Sequence, residues 1–502
     1  MITVVPSAPD AGSAGPRERL LPVPRALLRW ALIVGLTVLA FRQSLLSLVD
    51  GTRAGSLIGY VWLLVGALLV AGIAISRQQR TELPIHDRQT DVIVGGLGML
   101  MALMVHGILL QRYSQYYLLL RIDLIALWFF VISSSILLFG LRPLARFAWV
   151  WTLPLFMLPL AYQVTVIFFG GSRVAAGAAT LLVSSAATAI AVGRNRIRAL
   201  VGAVMCWTVG LVLLAGMAVM APQAPLLAFQ VMPAGLSMLL VCSGLFLQAR
   251  RGLTKRPLRR SIRPLAAGQV WAAIPVVVAV AVVLSLVSPP KPGDAPTWVS
   301  SVTFGVPLAV PVGWHVTEKT DYSWVRRLHG RDATLIRQRF VADVGDPRWD
   351  KFGRPRTLMV DSTSTWRPIS LQVFPAKVLY DESSSRLSPP KSVDLGHGVK
   401  GELYSVVDDK LLVTFDMLIW TWRTEGSAQR VVVSSVDNHE EDAPFPTPTG
   451  GLAPTLRTVF SVLFRGNAVT LNREPTEKDF ELLTGFGRAL VDAQRPSAGR
   501  PA

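Results

Sequence analysis

Few side chains within the apolar runs of this 502-residue chain could do chemistry. Arg121 and Asp123 stand two residues apart, His106 lies alone in an earlier run, and Arg173 follows a Gly-Gly-Ser turn. A charge in hydrocarbon is costly unless it is paired or solvated, so these groups are candidates either for structural ion pairing or for substrate binding. Residues two apart do not face each other on a helix, so Arg121 and Asp123 could each pair with other helices. His106 is either a hydrogen-bonded packing residue or, given a partner, a general base or proton carrier.

The two cysteines, Cys206 and Cys242, also lie in apolar runs. Cys206 stands in the middle of VGAVMCWTVG, where a thiol is usually an inert packing group. The C-terminal half contains no cysteine, so a hydrophobic core rather than a disulfide must stabilise it. Neither a metal-ligand cluster, nor a phosphate-binding glycine loop, nor a Ser/His/Asp order stands out, so we expect no metal and no cofactor.

The elements that must position these residues are predicted to be membrane-spanning helices. Charged residues make up only 16% of the chain, below the roughly 25% of soluble proteins. Nine apolar runs approach or exceed the length of about 20 residues that a helix needs to cross a bilayer. They cover residues 27–49, 56–76, 92–111, 116–141, 147–169, 174–192, 199–221, 226–249 and 269–288. Pro154 and Pro159 should bend the fifth helix and free backbone carbonyls that another group must satisfy.

The positive charge is distributed in the manner of a membrane protein. Residues 1–290 carry 24 Lys/Arg against 7 Asp/Glu, whereas residues 291–502 carry 26 against 25. The charges of the first half lie in short gaps between apolar runs, which argues against a nucleic-acid partner. With the N-terminus in the cytoplasm, 18 basic residues fall in cytoplasmic segments and only Arg53, Arg112 and Arg173 in the opposite gaps. We therefore expect a multi-pass plasma-membrane protein whose C-terminal half is extracytoplasmic.

The C-terminal half is predicted to be an α+β domain with an antiparallel sheet of about six to eight strands. Short β-type runs include residues 302–311, 334–344, 356–364, 369–380, 399–407, 410–423 and 428–436, and helices are expected over 447–464 and 474–492. The complete division is a disordered N-terminus (1–25), a helical membrane domain (26–290), a Pro-rich linker (291–297), the extracytoplasmic domain (298–470), a C-terminal helix (471–493) and a disordered tail (494–502).

The predicted domain is rich in tryptophan, which has two interpretations. The side chains could form a surface for sugars or for the membrane interface, or they could be core anchors. The seven residues are Trp298, Trp314, Trp324, Trp349, Trp366, Trp420 and Trp422.

Two segments carry a family resemblance. They are residues 55–91 and residues 119–162, and the second ends in the proline-containing stretch WTLPLFMLPLAY. Together they resemble the exosortase/archaeosortase family, in which an arginine-bearing short loop leads to a helix of this W-x-P-hydrophobic-x-x-P type. The resemblance covers residues 25–200, and the soluble domain that follows is similar to the fused C-terminal domain of some family members.

The resemblance implies a membrane-embedded cysteine peptidase or transpeptidase that recognises C-terminal sorting signals on exported proteins. The family uses a Cys nucleophile with an Arg and a His near the outer face. Its nucleophile stands in a Cys-Ser-Gly-like motif before an Asn/Arg-containing helix, whereas here Cys242 follows Asn195 and lies at the cytoplasmic end of its predicted helix. The catalytic residues are therefore not carried over. The catalytic candidates are Cys206, Cys242, Arg173 and His106, and the substrate-binding candidates are Arg121 and Asp123.

Three functions are compatible with the sequence. The first is an exosortase-like membrane protein that sorts exported proteins at the cell envelope, either active or degenerate in catalysis. The second is a non-enzymatic envelope component whose exported domain binds polysaccharide or a partner protein. The third, a transporter, is disfavoured because few charges lie in the membrane and no inverted repeat is visible. All three place the chain in the lipid bilayer.

Overall fold

The computed structural model describes residues 23–77, 88–250, 267–290, 296–299, 305–380, 385–409, 412–440, 443–450, 475 and 477–495. Most of the two predicted disordered ends, 1–25 and 494–502, lies outside these ranges. The same holds for the basic block after Arg250, for residues 302–304 of the first predicted strand and for residues 451–464 of the first predicted C-terminal helix.

Apolar helices make up the N-terminal half of the described chain. They are α1 (Val23–Ala40), α2 (Arg42–Arg53), α3 (Tyr60–Ser76), α4 (Arg88–Met104), α5 (Tyr117–Leu120), α6 (Ile122–Phe139), α7 (Leu141–Ala145), α8 (Ala148–Phe156), α9 (Pro159–Phe168), α10 (Arg173–Val192), α11 (Arg196–Met220), α12 (Leu226–Arg250) and α13 (Ala267–Leu286). A π-helical turn, Val105–Leu109, continues α4 as far as Arg112.

Six helices in the described ranges are long and apolar enough to cross a membrane. They are Leu57–Ser76, Arg88–Arg112, Ile122–Phe139, Arg173–Val192, Arg196–Met220 and Leu226–Gln248. Two bent pairs, α1 with α2 and α8 with α9, raise the number to eight if each pair is one span. Ala272–Leu286 is a shorter apolar helix. The structure thus confirms a helical N-terminal half with about six candidate apolar spans, while nine crossings stay a prediction.

Both bent pairs break at identifiable residues. The α1–α2 pair bends by 76° at Phe41, and the α8–α9 pair bends by 59° just before Pro159, as the sequence predicts. Proline is accommodated in the first turn of a helix because the missing N–H would be unpaired there in any case. The break leaves the carbonyl of Met157 outside both helices, and the Tyr60 hydroxyl donates to it at 2.7 Å.

Helix α10 is the most buried of the six candidate spans, with 61% of its apolar window inside the protein. It packs between α3, α11 and α12. Small residues permit this close approach, as membrane helix interfaces generally require. At Gly177 an added Cβ would lie 2.6 Å from Leu214 and 2.8 Å from a backbone oxygen of α12. Its Ala/Ser-rich sequence therefore reflects contact with other helices rather than with lipid.

The bundle has two chemically different ends. At one end, arginines donate hydrogen bonds to backbone carbonyls of neighbouring helices. One of these arginines lies in α1, and the others come from two predicted cytoplasmic segments. These bonds are Arg29 to Leu138 at 3.0 Å, Arg88 to Leu137 at 3.0 Å and Arg146 to Ile75 at 2.8 Å. The turns at the opposite end contact the C-terminal domain.

The C-terminal domain has a nine-stranded sheet within its described residues, slightly more than the predicted six to eight. The strands are β1 (Thr297–Trp298), β2 (Trp314–Asp321), β3 (Thr334–Ala342), β4 (Thr357–Thr365), β5 (Arg386–Leu387), β6 (Lys391–Asp394), β7 (Lys400–Asp408), β8 (Val413–Arg423) and β9 (Ala428–Val436). The order is β2-β3-β4-β9-β8-β7-β5, with β6 beside β7 and the parallel β1 beside β8. All other pairs are antiparallel, as predicted.

The predicted strand over 369–380 is wrong. The segment forms two short helices, α15 (Pro368–Val373) and α16 (Ala376–Leu379), which follow the single turn α14 (Arg326–His329) in chain order. Pro368 starts one helix and Pro375 precedes the other, positions where proline favours helix initiation over strand pairing. Residues 447–450, the described start of a predicted helix, are also not helical.

The sheet is covered on one face by the last helix, α17 (Phe480–Ala493). Strand β8 alternates its side chains between the two faces. Trp420 and Trp422 share a buried cluster with Leu483 and Phe486 of α17. The tryptophans of β8 are therefore core anchors, whereas Trp298 and Trp366 are 54% and 66% exposed. Helix α17 belongs to the same hydrophobic core as the sheet.

Candidate functional site

Arg121 and Asp123 contact each other, contrary to the expectation that their spacing keeps them apart. Arg121 is not helical: it has a left-handed backbone conformation (φ 46°) between the end of α5 and the start of α6. Its guanidinium therefore turns back onto the first turn of α6. Nε lies 3.1 Å from Asp123 Oδ1 and Nη2 lies 2.9 Å from Oδ2.

The remaining polar atoms of this pair are also satisfied. Arg121 donates to the Ser47 hydroxyl and to the Ser44 carbonyl, both at 3.2 Å, and the Tyr117 hydroxyl donates to Asp123 at 3.2 Å. Arg121 and Asp123 are 2% and 0% exposed. The pair therefore joins α2 to the α5–α6 junction, and the two charged groups neutralise each other in a buried position.

His106 is buried within the π-helical turn that follows α4. Its Nε2 lies 3.4 Å from the carbonyl oxygen of Val287, just after α13, and its ring meets Phe41 edge-on at 5.2 Å. Nδ1 has no partner among the described residues. The π turn thus directs the imidazole between α1 and α13, where it packs against rings and backbone.

Cys206 is buried between α10, α11 and α12, and Cys242 of α12 is half-buried. Cys206 Sγ is 3.6 Å from the hydroxyls of Ser184 and Ser237, and Cys242 lies beside Thr188. Ser184 is 11 residues along α10 from Arg173, or roughly 16 Å at 1.5 Å per residue. No described contact joins either thiol to Arg173, Arg121 or His106, so the expected Cys-Arg-His arrangement is not formed by the described residues.

Arg173 is the first residue of α10, and it is exposed. Ser172 caps this helix by accepting a hydrogen bond from the Ala175 N–H at 3.0 Å. The Arg173 guanidinium donates to the carbonyls of Pro222 and Ala224 at 3.4 and 3.2 Å, which ties the α11–α12 turn to the start of α10. Among the described residues it forms no salt bridge.

The sheet domain is docked on this end of the bundle. Gly171, with φ +73°, packs directly on the backbone of Arg327, because an added Cβ would come within 2.1 Å of the Arg327 carbonyl oxygen. Lys377 Nζ lies 3.5 Å from Gln115 Oε1, and Arg367 Nη2 donates to the Gly55 carbonyl at 2.9 Å. Three separate turns of the bundle therefore hold the domain.

Arg367 is a half-buried cation at this junction. No carboxylate of the described residues forms a salt bridge with its guanidinium, and the Gly55 carbonyl of the bundle accepts a hydrogen bond from it. Burial, and then the charge of Arg173, lower the pKa of Arg367. Arg367 lines a small crevice of about 10 Å³, whose walls include Ser56 and Leu57 of the bundle and Ser370 and Phe374 of α15 and its end. We call this space the interface crevice.

His329 lies behind the interface crevice and is fully buried. The Ser370 hydroxyl donates to the Arg367 carbonyl at 2.7 Å, so its oxygen accepts from His329 Nδ1 at 3.1 Å. This assigns the proton to Nδ1 and leaves Nε2 as an acceptor with no described partner. Burial, followed by the charges of Arg430 and Arg367, lowers the pKa of His329 to about 3, and the ring is neutral at neutral pH.

The structure separates the sequence candidates into three groups. Arg121 with Asp123, and His106, are each enclosed at the domain-bearing end. Arg173 begins α10 at the junction, and the cysteines lie farther along the bundle. Arg367 and His329 were not found from the sequence, because the junction joins residues more than 300 positions apart and no local spacing marks it. Among the described residues, no group of three or more His, Cys, Asp or Glu could hold a metal ion.

Comparison with protein-family models, characterised proteins and solved structures gives no match to this chain.

Proposed function

We propose that this chain is an exosortase/archaeosortase-like membrane protein of the cell envelope that handles exported proteins by binding them, without cysteine catalysis. The observation that carries the proposal is the separation of the thiols from the cations. A cysteine nucleophile needs a stabilised thiolate, and cationic neighbours commonly provide it. Cys206 has only hydroxyl groups within hydrogen-bonding distance among the described residues.

The proposed orientation places the sheet domain outside the cytoplasm. Its support is that Arg88 and Arg146, from two predicted cytoplasmic segments, lie at the bundle end opposite the domain, as the positive-inside rule requires. Nine crossings follow if each bent pair and α13 traverse the bilayer once, and an odd number of crossings puts the two termini on opposite sides. Exported proteins would then meet the docked domain directly.

A variant without thiols tests the proposal. In cells whose own gene is deleted, we expect the wild-type chain and the Cys206→Ala/Cys242→Ala variant to restore the same pattern of exported envelope proteins, measured by quantitative mass spectrometry. Cys206→Ala alone is the packing control, since its Sγ fills a fully buried space. A double variant that accumulates normally in the membrane yet leaves the deletion pattern unchanged would establish a cysteine mechanism instead.

Binding of envelope polysaccharide by the exported domain is a second candidate function. The observation that favours it is Trp298, which is 54% exposed and lies 5.4 Å from the Arg423 guanidinium, so that a flat aromatic face and a cation are adjacent. The same deletion strain separates the two candidates. Loss of polysaccharide retention with an unchanged pattern of exported proteins would favour this one.

A further inference from the structure

The sheet domain presents an exposed tryptophan where it meets the bundle. Trp366 is 66% exposed, and the next residue, Arg367, donates to the Gly55 carbonyl between α2 and α3. The turn between β8 and β9 lies beside this ring, because an added Cβ at Gly426 would be 3.6 Å from it. The large apolar side chain of Trp366 is therefore left uncovered one residue away from a contact with the bundle.

A second exposed tryptophan lies on the other side of the same turn. In the pairing of β1 with β8, Trp298 stands opposite Arg423, and the Arg423 guanidinium lies 5.4 Å from the centre of the Trp298 ring. Arg423 and Gly426 are three residues apart, so the two rings flank one turn. We call the surface formed by Trp298, Trp366 and residues 423–427 the tryptophan rim.

The turns of the rim carry more arginine than acid. Residues 326–332 adjoin it through Gly330, where an added Cβ would lie 2.9 Å from Arg367 Cδ. None of the salt bridges between described residues involves an arginine of residues 326–332 or 423–427. These unpaired cations favour an anionic partner. The exposed charges of the two turns are Arg326, Arg327, Arg331 and Arg423 against Asp332 and Glu425.

The rim lies near the level at which the bundle helices end. Gly55, which accepts from Arg367, stands just before α3, and Trp62 in the first turn of α3 is itself 41% exposed. The Trp62 Nε1 donates to the Thr52 hydroxyl at 3.0 Å. Tryptophan is enriched at the headgroup level of membranes, and arginine extends its charge toward that level. The surface that continues from the bundle past the rim is therefore the bilayer.

We propose that the tryptophan rim binds the headgroup layer of an anionic phospholipid bilayer, with both rings in the layer and the arginines against lipid phosphates. Guanidinium groups suit this role, since their planar N–H pairs match phosphate oxygens. The rim holds the domain on the membrane in addition to its contacts with the bundle. The proposal depends on a membrane location and not on the handling of exported proteins, and it gives Trp298 a lipid partner in place of polysaccharide.

The test is fluorescence quenching in the full-length protein, reconstituted in phosphatidylcholine nanodiscs that contain lipid with a nitroxide on its headgroup. The emission that Trp298→Phe/Trp366→Phe removes from the wild-type spectrum belongs to the rim, and we expect the nitroxide to quench it. The matched control is Trp349→Phe. Trp349 precedes β4 and Trp366 follows it, so the nine residues of β4 separate them by roughly 30 Å. The emission that this control removes should not be quenched.

The charge preference is tested with the same nitroxide on phosphatidylglycerol. At low salt, a smaller mole fraction of this lipid than of labelled phosphatidylcholine should give half of the maximal rim quenching. The difference should shrink at 1 M salt, where the Debye length is about 3 Å. Arg423→Gln should lower the preference about fivefold, the effect of one cation at an anionic surface. Lys351→Gln removes an exposed cation beyond the far end of β4 and should leave the preference unchanged.

Two results would overturn the proposal. Rim emission that neither labelled lipid quenches would show that the rings do not meet the bilayer, and it would leave Trp298 to the polysaccharide candidate. Equal quenching by the two lipids at low salt would overturn the anionic assignment. Since both rings are exposed, each single Trp→Phe variant can carry the test if the double variant does not fold. The exported-protein pattern of the cysteine variants bears only on the proposed function, so the two proposals can fail separately.

Discussion

Replacement of Asp123 tests whether its pair with Arg121 is structural. In the wild type, the Arg121 guanidinium makes two hydrogen bonds to Asp123 and one each to Ser47 and Ser44. Asp123→Leu would leave this guanidinium at 2% exposure with only the two neutral acceptors. Breaking a buried ion pair by removing one partner costs about 3–5 kcal/mol. We expect the free energy of unfolding to fall by an amount in this range.

The matched control removes both charges. In Arg121→Met/Asp123→Leu no buried charge is left unpaired, and such replacements are often neutral or stabilising by about 1–4 kcal/mol. Methionine is preferred to glycine because Arg121 has a left-handed backbone (φ 46°), and a non-glycine residue keeps that conformational cost unchanged. The double variant should therefore recover most of the stability that the single variant loses.

The assay is reversible unfolding in mixed detergent micelles, followed by circular dichroism, for both single variants and the double variant. The coupling free energy of this cycle isolates the pair. A loss below about 1 kcal/mol in Asp123→Leu would refute the closed pair, because Arg121 would then have another anion or water. A double variant that folds as wild type but does not restore the pattern of exported proteins would show that the pair binds substrate.

Two further predictions concern the junction and the sheet domain. Gly171→Ala should loosen domain docking because its Cβ would clash with the Arg327 backbone, whereas Gly170→Ala also has positive φ but open space around it. Cysteines placed at Gln115 and Lys377, in a chain lacking the natural thiols, measure docking through the yield of a bis-maleimide cross-link, because only the ends of the two natural side chains are in contact. Equal yields in both variants would contradict the contact. The low pKa of His329, about 3 against 6.5, makes the unfolded state bind more protons as pH falls below 6.5. As the pH falls from 6 to 4, the free energy of unfolding of the wild type should decrease more steeply than that of His329→Gln. The two slopes, measured by urea unfolding, should differ by about 1.4 kcal/mol per pH unit. Identical slopes would contradict a neutral His329.

The sequence was informative where one physical requirement dominates a segment. Apolar length predicted the helical half, and the prolines predicted the break before Pro159, because these effects act locally. Side-chain alternation likewise predicted β3 and β8. The strand prediction over 369–380 failed because a short apolar segment has no decisive hydrophobic period. The segment also contacts α5 and the walls of the crevice, which are formed by distant parts of the chain.

The polar sites depended on information that spacing does not contain. The rule that residues two apart diverge holds only inside a helix, and the left-handed Arg121 interrupts the helix at that position. The junction required the docking of two halves, so Arg367 and His329 carried no local signal. For His106 the sequence leaves a packing role and a proton-transfer role open, and the π turn that directs its ring toward α13 is not predictable from VHGIL alone.

The resemblance to exosortases is compatible with the separation of the thiols from the cations, because the two observations concern different properties of the chain. The matching segments are patterns of apolar residues and prolines, which specify how helices span and bend, and these features are present around Pro159 and Tyr60. Catalysis instead requires particular polar groups to meet, and a fold does not by itself supply them. Here Arg121 at the domain-bearing end is engaged by Asp123, and Arg173 donates to backbone carbonyls, while Cys206 lies among hydroxyls farther along the bundle. Among the described residues, the polar groups of the bundle thus join helices to one another and to the docked domain, and no hydrogen bond between them brings a thiol to a cation.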